Sequence, residues 1–241
     1  MGWQNPSTPI VPVDLMKSLL SPAAWARVIP FALFMALLAL RANWPAAEGS
    51  WLDPRWLYGV SVLVVGGSLV YFWRRYGELG RGSGLSLWHA LLSVGVGVGV
   101  FMLWVWLTEP WMLLGEPSAS FRPVDDNGEL LWGLVIVRWV GAAMLVPVME
   151  ELFWRSYLMR WVDKPDFEAQ DPGAVTLRAM LLSSLVFMLA HNQWLAALVA
   201  GMVYAWLYRY TRTLWAPILA HAVTNGLLGA WVVVFGNWQF W

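Results

Sequence analysis

Long apolar runs, separated by short polar or proline-containing segments, dominate the pattern of the chain. Runs of about 20 apolar residues match the length that an α-helix needs to cross a hydrocarbon layer of about 30 Å. No internal repeat or separate soluble segment interrupts the pattern, so residues 1–241 are expected to form a single membrane domain. The pattern predicts an all-α, polytopic transmembrane helical bundle of about seven spans, within a range of about six to eight. The spans lie near residues 22–41, 55–73, 86–107, 130–158, 174–190, 194–210 and 214–236.

The composition agrees with a membrane location. Hydrophobic residues make up 59% of the chain and charged residues only 12%, whereas soluble domains carry about 45–50% and about 25%. The formal net charge is zero and no basic block is present, which argues against a nucleic acid partner. The chain has no cysteine, which excludes disulfides, thiolate zinc sites and a cysteine nucleophile. The expected surroundings are therefore the lipid bilayer, without nucleic acid.

The basic residues outside the spans give the expected orientation, because cytoplasmic loops are enriched in lysine and arginine. With a cytoplasmic N-terminus, ten basic residues fall on the cytoplasmic side and three on the outer side. We therefore expect an integral protein of the bacterial inner (cytoplasmic) membrane, with its N-terminus in the cytoplasm. The cytoplasmic set is Lys17, Arg27, Arg74, Arg75, Arg81, Arg160, Lys164, Arg178, Arg209 and Arg212, and the outer set is Arg41, Arg55 and Arg122.

A few ionisable or polar residues fall inside the apolar runs or at their ends. A charged side chain at the centre of a membrane costs about 2.5–3.5 kcal/mol on insertion scales, and such residues usually pair with one another or serve function. Here they occur in three clusters on different spans, so helix packing can bring them together. The clusters are Glu150, Glu151 and Arg155; His191 and Asn192; and His221 and Asn225.

Helical spacing separates the two adjacent glutamates. Glu151 and Arg155 are four residues apart, so they share a face and are expected to form an ion pair. Glu150 points about 100° away around the same helix and is left as the unpaired carboxylate, free to face a cavity. An unpaired carboxylate in such a place is suited to act as a general base. Pro147 lacks a backbone N–H and is expected to loosen the helix just before the glutamates.

The two histidine clusters supply complementary chemistry. Phe187 and His191 are four residues apart, as are His221 and Asn225, so the members of each pair share a helical face. An imidazole can take a proton from water or give one to a leaving group. An asparagine amide can donate to a developing oxyanion without carrying a charge. Each residue alone fits a structural hydrogen bond, but three converging polar faces favour a catalytic site.

Together these residues resemble the motifs of the CPBP family, the CAAX-processing and bacteriocin-immunity intramembrane proteases. The family pattern is E-E-x-x-x-R, then F-x-x-x-H, then H-x-x-x-N, and the chain has the three elements in that order. Each element alone is weak, whereas the ordered set on apolar spans is specific. The resemblance covers roughly residues 130–230 as a catalytic core. The elements are Glu150 to Arg155, Phe187 to His191, and His221 to Asn225.

The resemblance implies an intramembrane endopeptidase with a core like that of the type II CAAX prenyl endopeptidase. It implies that Glu150 and His191 activate the attacking water. It also implies that His221 and Asn225 stabilise the oxyanion. The supporting residues are Glu151, Arg155 and Phe187.

The cofactor requirement is the first point that the resemblance leaves open, because the family has been described both as metalloprotease and as glutamic-type protease. A zinc site needs three firm histidine or carboxylate ligands, and Asn225 is a poor one. The chain offers such a set only if Glu150 gives up its role as base. We therefore expect a glutamic-type enzyme without a cofactor. The alternative is zinc held by Glu150, His191 and His221.

The substrate is the second open point. The expected partner is a protein or peptide with a C-terminal or transmembrane segment, hydrolysed near its C-terminus or membrane anchor. The sequence does not decide between a prenylated tail and a sorting anchor. A non-catalytic immunity or scaffold protein that binds a partner through the same helices is the alternative function. A transporter is disfavoured because the sequence shows no repeat halves and no pair of broken helices.

Two further features lie outside the motifs. Arg138 falls inside the fourth span, and the sequence does not identify its partner; it either pairs across helices or lies near the outer interface. Gly95 and Gly99 are four residues apart in the third span. This small-residue pair predicts a close approach of another helix.

Overall fold

The computed structural model describes residues 21–44, 53–80, 82–115 and 121–241. These residues form helices and turns, and among them the only β pairing is an isolated antiparallel bridge between Val124 and Leu130. The all-α class predicted from the apolar pattern is confirmed. Lys17 and Arg81, which entered the predicted orientation, lie outside the described residues.

Helices lie at all seven predicted span positions within the described part of the chain. They are α1 Pro22–Ala42, α2 Leu57–Phe72, α3 Leu87–Trp106, α4 Trp132–Asp163, α5 Leu177–Leu189, α6 Trp194–Thr211 and α7 Trp215–Phe235. By length and composition, five of these positions could cross a membrane: α1, α2 with its flanking turns, α3, α4 and α7. The α5 helix is apolar but has only 13 residues.

The limits of α5 place His191 outside regular helix. Thr176 caps the start of α5, because its side chain accepts a hydrogen bond from the backbone N–H of Ala179 at 3.2 Å. The helix ends at Leu189, and the N–H of His191 donates to Met188 at 3.1 Å in a tighter final turn. His191 therefore lies on the short connection between α5 and α6, near one end of the bundle.

The α3 helix packs along α7, and one glycine sets their separation. A Cβ atom added to Gly97 would lie 2.5 Å from the carbonyl oxygen of Ala220 and 2.8 Å from Val223, so only glycine fits there. Gly95 and Gly99 have nothing within 4 Å of such an atom. The predicted close approach is therefore present, but the prediction that this glycine pair makes it is wrong. Gly97 lies on the facing side of the helix.

The α4 helix is not regular. It widens twice into π-helical turns, at Gly141–Leu145 and at Leu152–Met159, and the short α-helical segment Val146–Glu151 lies between them. In the first wide turn, the N–H of Val146 donates to the carbonyl of Gly141, five residues earlier. Wide turns of this kind occur frequently at functional sites. The two glutamates thus sit at the end of a short regular segment between two irregular ones.

At the opposite end of the bundle from His191, a buried ionic cluster joins α1, α4 and the turn after α2. Arg27 is 1% exposed and forms an ion pair with Glu78 at 2.6 Å. Its Nε donates to the hydroxyl of Ser156 at 2.9 Å, and that hydroxyl also contacts the Glu78 carboxylate. Burial alone would raise the pKa of Glu78, but the charge and hydrogen bonds of Arg27 hold it below its ordinary value. The cluster fastens the three segments together.

The outer surface of the bundle is apolar over large areas. Large side chains with more than half of their surface exposed include Leu63, Val70, Leu87, Met102 and Met144. Exposure of this extent is unusual for a soluble monomer and is expected where helices face lipid.

Candidate active site

A cavity of about 320 Å³ lies where α4, the α5–α6 connection and α7 meet. Its wall includes Glu150, His191, His221 and Asn225, the four residues singled out from the sequence, and also Phe187. Three separate stretches of sequence therefore contribute to one cavity. This volume lies within the range of about 300–1,000 Å³ that is typical of ligand pockets.

The two adjacent glutamates have different surroundings. Glu151 is fully buried, and its Oε2 lies 3.1 Å from the Nε of Arg155, so the predicted ion pair is confirmed. The Oε1 of Glu151 also lies 2.9 Å from the Nδ1 of His221. Glu150 lines the cavity, and its Oε2 has no hydrogen-bond partner among the described residues. Glu151 is therefore committed to two partners, whereas Glu150 has an acceptor oxygen available.

Arg155 is held between two aromatic rings as well as by its ion pair. Its Cζ lies 4.6 Å from the ring centre of Phe187 and 5.4 Å from that of Tyr204. One terminal nitrogen donates to the carbonyl of Gly201 at 3.3 Å. The cation–π contacts stabilise the guanidinium away from water. Phe187 thus contacts both the arginine and His191, whose ring centre lies 4.3 Å from its own.

The ring of His191 is oriented by a backbone carbonyl. Its Nδ1 lies 2.9 Å from the carbonyl oxygen of Phe187, and the two rings are 4.3 Å apart. A carbonyl only accepts hydrogen bonds, so Nδ1 carries the hydrogen, and Nε2 of the neutral ring has the lone pair. The indole of Trp104 packs edge-on against the imidazole at 5.6 Å. His191 therefore has one nitrogen fixed and one suited to accept a proton.

His221 is oriented by a carboxylate instead. Because the Glu151 carboxylate accepts, Nδ1 of His221 is the donor in their 2.9 Å hydrogen bond. Tyr204 stacks on the imidazole at 5.2 Å, and its hydroxyl lies 2.7 Å from the hydroxyl of Thr224. Thr224 donates to the carbonyl of Gly97 at 2.9 Å, which ties this part of α7 to α3.

Sequence reasoning missed Tyr204, Thr224 and Trp104. Tyr204 lies in an apolar run of α6, where one phenol among many aromatic residues gives no distinct signal. Thr224 directly precedes Asn225 in the last motif, so its position was a usable clue. Trp104 is one of 20 tryptophans, most of which are explained by the membrane interface.

Asn225 bonds to the first wide turn of α4. Its Nδ2 donates to the carbonyl of Ala142 at 2.9 Å. In a turn with five-residue spacing, the N–H of residue 147 would donate a hydrogen bond to the carbonyl of Ala142, but Pro147 has no N–H. Asn225 therefore supplies the missing donor, and its amide retains a second N–H and the carbonyl oxygen. The proline expected to loosen the helix is thus linked to the position of a candidate catalytic residue.

Two arginines also line the cavity. Arg138, which had no assignable partner from sequence, lies with its Cζ 4.4 Å from the ring centre of Tyr58 and 5.8 Å from that of Phe121. Arg41 contacts the same Phe121 ring at 5.6 Å. A second polar cavity of about 380 Å³ shares Arg138 and His191 with the first. The two cavities therefore share part of their walls near one end of the bundle.

A zinc ion was the alternative cofactor on Glu150, His191 and His221. Within the described residues, no three histidine, aspartate or glutamate side chains are grouped closely enough to hold a metal ion. Nδ1 of each histidine lies within hydrogen-bond distance of an oxygen acceptor, which leaves Nε2 with its lone pair, as is also usual for metal-bound histidines. No step of the mechanism below is routed through a metal.

Comparison with known proteins identifies the region around the cavity. Residues 132–227 match the family model described as type II CAAX prenyl endopeptidase Rce1-like. No curated protein and no solved structure matches the chain. The matched range contains all four cavity residues predicted from the motifs, and the predicted resemblance is confirmed. Residues 132–227 are therefore similar to the Rce1-like family of type II CAAX prenyl endopeptidases.

Proposed function

We propose that the protein is an intramembrane endopeptidase that hydrolyses a peptide bond near the C-terminus or membrane anchor of a protein substrate. The observation that carries the proposal is the cavity, which gathers Glu150, His191, His221 and Asn225. The similarity of residues 132–227 to the type II CAAX prenyl endopeptidase family supports the same activity in general. The apolar helices that surround the cavity support cleavage within or beside the bilayer.

In the proposed mechanism, Glu150 and His191 activate water. The free oxygen of Glu150 accepts a proton as the water oxygen attacks the scissile carbonyl carbon. Nε2 of His191 accepts a hydrogen bond from the same water and orients it. The proton then passes to the leaving amine as the tetrahedral intermediate collapses. Two proton or hydrogen-bond acceptors are useful because neutral water is a weak nucleophile until a base takes its proton.

His221 and Asn225 are proposed to stabilise the oxyanion. For His221 to donate through Nε2, both ring nitrogens must carry hydrogen, and the bonded carboxylate of Glu151 provides the countercharge for that state. The second N–H of Asn225 is the other donor, since the first is used by Ala142. Glu151 is then a positioning residue, which acts on the reaction through His221.

Metal-free chemistry is part of the proposal and has its own test. Elemental analysis of the purified, active protein measures bound zinc directly. We expect no stoichiometric metal and full activity after chelation. Zinc at one equivalent per chain, lost together with activity on chelation and restored with it, would replace this part of the proposal with a zinc enzyme.

The position of the cavity suggests the side from which substrate arrives. The cavity is lined near the end of α1 by Arg41, near the end of α3 by Trp104 and after α5 by His191. With a cytoplasmic N-terminus, as the basic residues predict, all three positions face the outer side. We propose an integral protein of a bacterial inner membrane that cleaves substrates from that side.

The deciding experiment compares the membrane proteomes of cells that express the wild type or the Glu150→Gln variant. Mass spectrometry should find new protein C-termini with the wild type and lose them with the variant. Glu168→Gln is the matched control, since this exposed glutamate lies outside the cavity.

Two outcomes contradict the proposal. If the folded, membrane-inserted Glu150→Gln variant still produces the same new C-termini as the wild type, the protein does not use this mechanism. If no cut product appears while a partner is retained by both forms, the non-catalytic immunity or scaffold function is correct instead.

A further inference from the structure

The short connection between α5 and α6 is bound to the end of α3 and the turn after it by three consecutive residues. The carbonyl of Asn192 accepts a hydrogen bond from the N–H of Leu114 at 2.7 Å. The indole N–H of Trp194 donates to the carbonyl of Trp111 at 2.9 Å. Between these two residues, the side chain of Gln193 reaches α3 itself. The proposed mechanism uses none of these contacts, although the connection carries one of its two water-activating residues.

Gln193 supplies donors to the open end of α3. The last carbonyls of a helix have no helical partner. The N–H that would donate to the carbonyl of Trp104 in a longer helix belongs to Thr108, and it donates to the carbonyl of Trp106 at 3.0 Å instead. Nε2 of Gln193 lies 2.8 Å from the carbonyl oxygen of Trp104 and 3.3 Å from that of Leu107. The two N–H groups of this amide therefore serve two carbonyls at the end of α3.

The residue that this amide holds is also the one that contacts the candidate catalytic imidazole from another helix. The ring of Trp104 lies 5.6 Å from the ring of His191, edge-on at 77°. The ring of Phe187 also contacts the imidazole, but it lies only four residues before His191, so that contact is local. The contact with Trp104 instead depends on how α3 lies against the α5–α6 connection. Gln193 fixes both sides of it, because it is two residues from His191 and binds the backbone of Trp104.

We infer that Gln193 is a positioning residue, which holds Trp104 against His191 and thereby fixes the direction of the imidazole Nε2. The inference rests on the proposed function, in which this nitrogen orients the attacking water. The hydrogen bond to the carbonyl of Phe187 places Nδ1 but does not by itself set the tilt of the ring. A displacement of about 1 Å at a reacting group lowers a rate by as much as about 10²-fold. Gln193 therefore affects the rate without contacting the substrate.

The position of the ring is measured without cleavage by nuclear magnetic resonance of the histidine side chains. The chain has three histidines, so ring-labelled protein in detergent micelles gives three signals, which single histidine replacements assign. Ring currents of neighbouring aromatic side chains shift each signal. In the variant Gln193→Met, whose side chain has a similar length but no N–H donor, the signal of His191 should move and those of His89 and His221 should stay. An unmoved His191 signal in the folded variant overturns the inference.

Two further variants control for the loss of an amide and for misfolding. Gln170→Leu removes an amide from the loop between α4 and α5, outside both cavities, and should leave all three signals in place. Gln193→Asn retains the amide on a side chain that is one methylene shorter, and should move the His191 signal by less than Gln193→Met. Thermal unfolding verifies that each variant is folded. Should Gln193→Met not fold, Gln193→Asn decides the question, and an unmoved His191 signal overturns the inference.

A double-mutant cycle tests whether Gln193 acts through the indole. Trp104→Leu removes the ring but keeps the backbone carbonyl to which the amide donates. If Gln193 acts by holding that ring, adding Gln193→Met to Trp104→Leu should change the His191 signal and kcat little further. Fully additive effects would mean that Gln193 acts on His191 by another route, and they contradict the inference.

Steady-state kinetics relates the position of the ring to the reaction. On a substrate identified by the proteome comparison, Gln193→Met should lower kcat by about tenfold to 10²-fold and change KM by less than about twofold. A raised KM with kcat unchanged would make Gln193 a substrate contact, and a normal kcat with a displaced His191 signal would make the position irrelevant to the rate; either result contradicts the inference. If the wild type cleaves nothing, the proposed function fails, while the His191 signal still decides whether Gln193 positions the ring.

Discussion

Two buried ionic groups in this protein differ in whether their hydrogen-bonding capacity is filled. In the cluster of Arg27, Glu78 and Ser156, each charge has a partner and the pair joins three segments. In the cavity, Glu150 has an acceptor oxygen and Arg138 a donor nitrogen that meet no partner among the described residues. Placing charge away from water costs free energy in both groups, but only in the first do partners within the protein offset that cost.

The contrast separates structural charges from candidate functional ones. A membrane protein cannot leave polar groups unsatisfied at low cost, so a group without a partner that faces a cavity indicates a missing ligand. The two adjacent glutamates show both situations, because Glu151 has an ion pair with Arg155 and a hydrogen bond with His221, whereas Oε2 of Glu150 has no hydrogen-bond partner among the described residues. Variants in the filled cluster should therefore affect stability, and variants in the cavity should affect activity.

The largest expected effect is on catalysis. Replacement of Glu150 by glutamine should lower kcat by about 10²–10⁴-fold, because general-base catalysis contributes that much. The unfolding temperature should change little, since the lost oxygen has no hydrogen-bond partner in the fold. Single-turnover cleavage and thermal unfolding in detergent measure the two quantities. A loss of activity explained entirely by unfolding would put Glu150 among the structural charges.

The next effect is on stability. Replacement of Glu78 by glutamine leaves the buried charge of Arg27 uncompensated and should cost about 3–5 kcal/mol of unfolding free energy. The activity of the fraction that remains folded should be close to that of the wild type, because the cluster lies away from the cavity. Equilibrium unfolding in mixed micelles gives the free energy.

The pH dependence provides the control for this variant. The folded-state pKa of Glu78 is held below its ordinary value, so its ionised form contributes stability above the unfolded pKa, at about 4.3. That contribution is lost as the pH falls through the folded-state value. The stability difference between wild type and Glu78→Gln should therefore shrink below about pH 4. A difference that is independent of pH would assign the effect to packing instead.

A smaller effect is expected from the contact between α3 and α7. Replacement of Gly97 by alanine forces a methyl group against the Ala220 carbonyl and should cost about 1–3 kcal/mol. Gly95→Ala is the matched control on the same helix, since nothing lies within 4 Å of the added carbon. Gly95→Ala should be neutral or slightly stabilising. Equal destabilisation by both variants would show that the close approach at Gly97 is not the source of the cost, since alanine is the better helix former at both positions.

The smallest effect is expected at an exposed ion pair. Asp53 and Arg55 are each about one-third exposed and form an ion pair at 2.7 Å. Replacement of Asp53 by asparagine should change the unfolding free energy by less than about 1 kcal/mol, because water screens such pairs. The measurement is the same as for Glu78→Gln. A loss as large as that of the buried cluster would show that exposure does not predict the cost of breaking a pair here.

The sequence contained most of the candidate site but not its geometry. Apolar runs located all seven helices, and four-residue spacing predicted the pair of Glu151 and Arg155. These predictions succeed because they depend on local periodicity. The contacts of Arg138 with Tyr58 and Phe121 depend on how separate helices pack, which local spacing does not encode.

The wrong prediction at Gly95 and Gly99 has the same origin. A small-residue pair marks a helix face that could pack closely, but the face that packs is chosen by the partner helix. Here the partner α7 meets the face of Gly97. The π-helical turns of α4 were also not predicted beyond the loosening assigned to Pro147, because both turns lie in sequences with ordinary helical patterns.

The first wide turn of α4 has a consequence for insertions and deletions. In a regular helix, positions 138 and 150 would point about 120° apart, whereas one additional residue in a turn reduces that angle to about 20°. Arg138 and Glu150 can therefore face one cavity because Gly141–Leu145 accommodates an extra residue. A deletion of one residue that restored a regular helix here would leave the two positions eleven apart and still about 20° from each other. An insertion of one further residue in regular helix between the two positions would instead turn Glu150 about 100° away from Arg138, so this stretch of α4 is expected to tolerate a deletion better than an insertion.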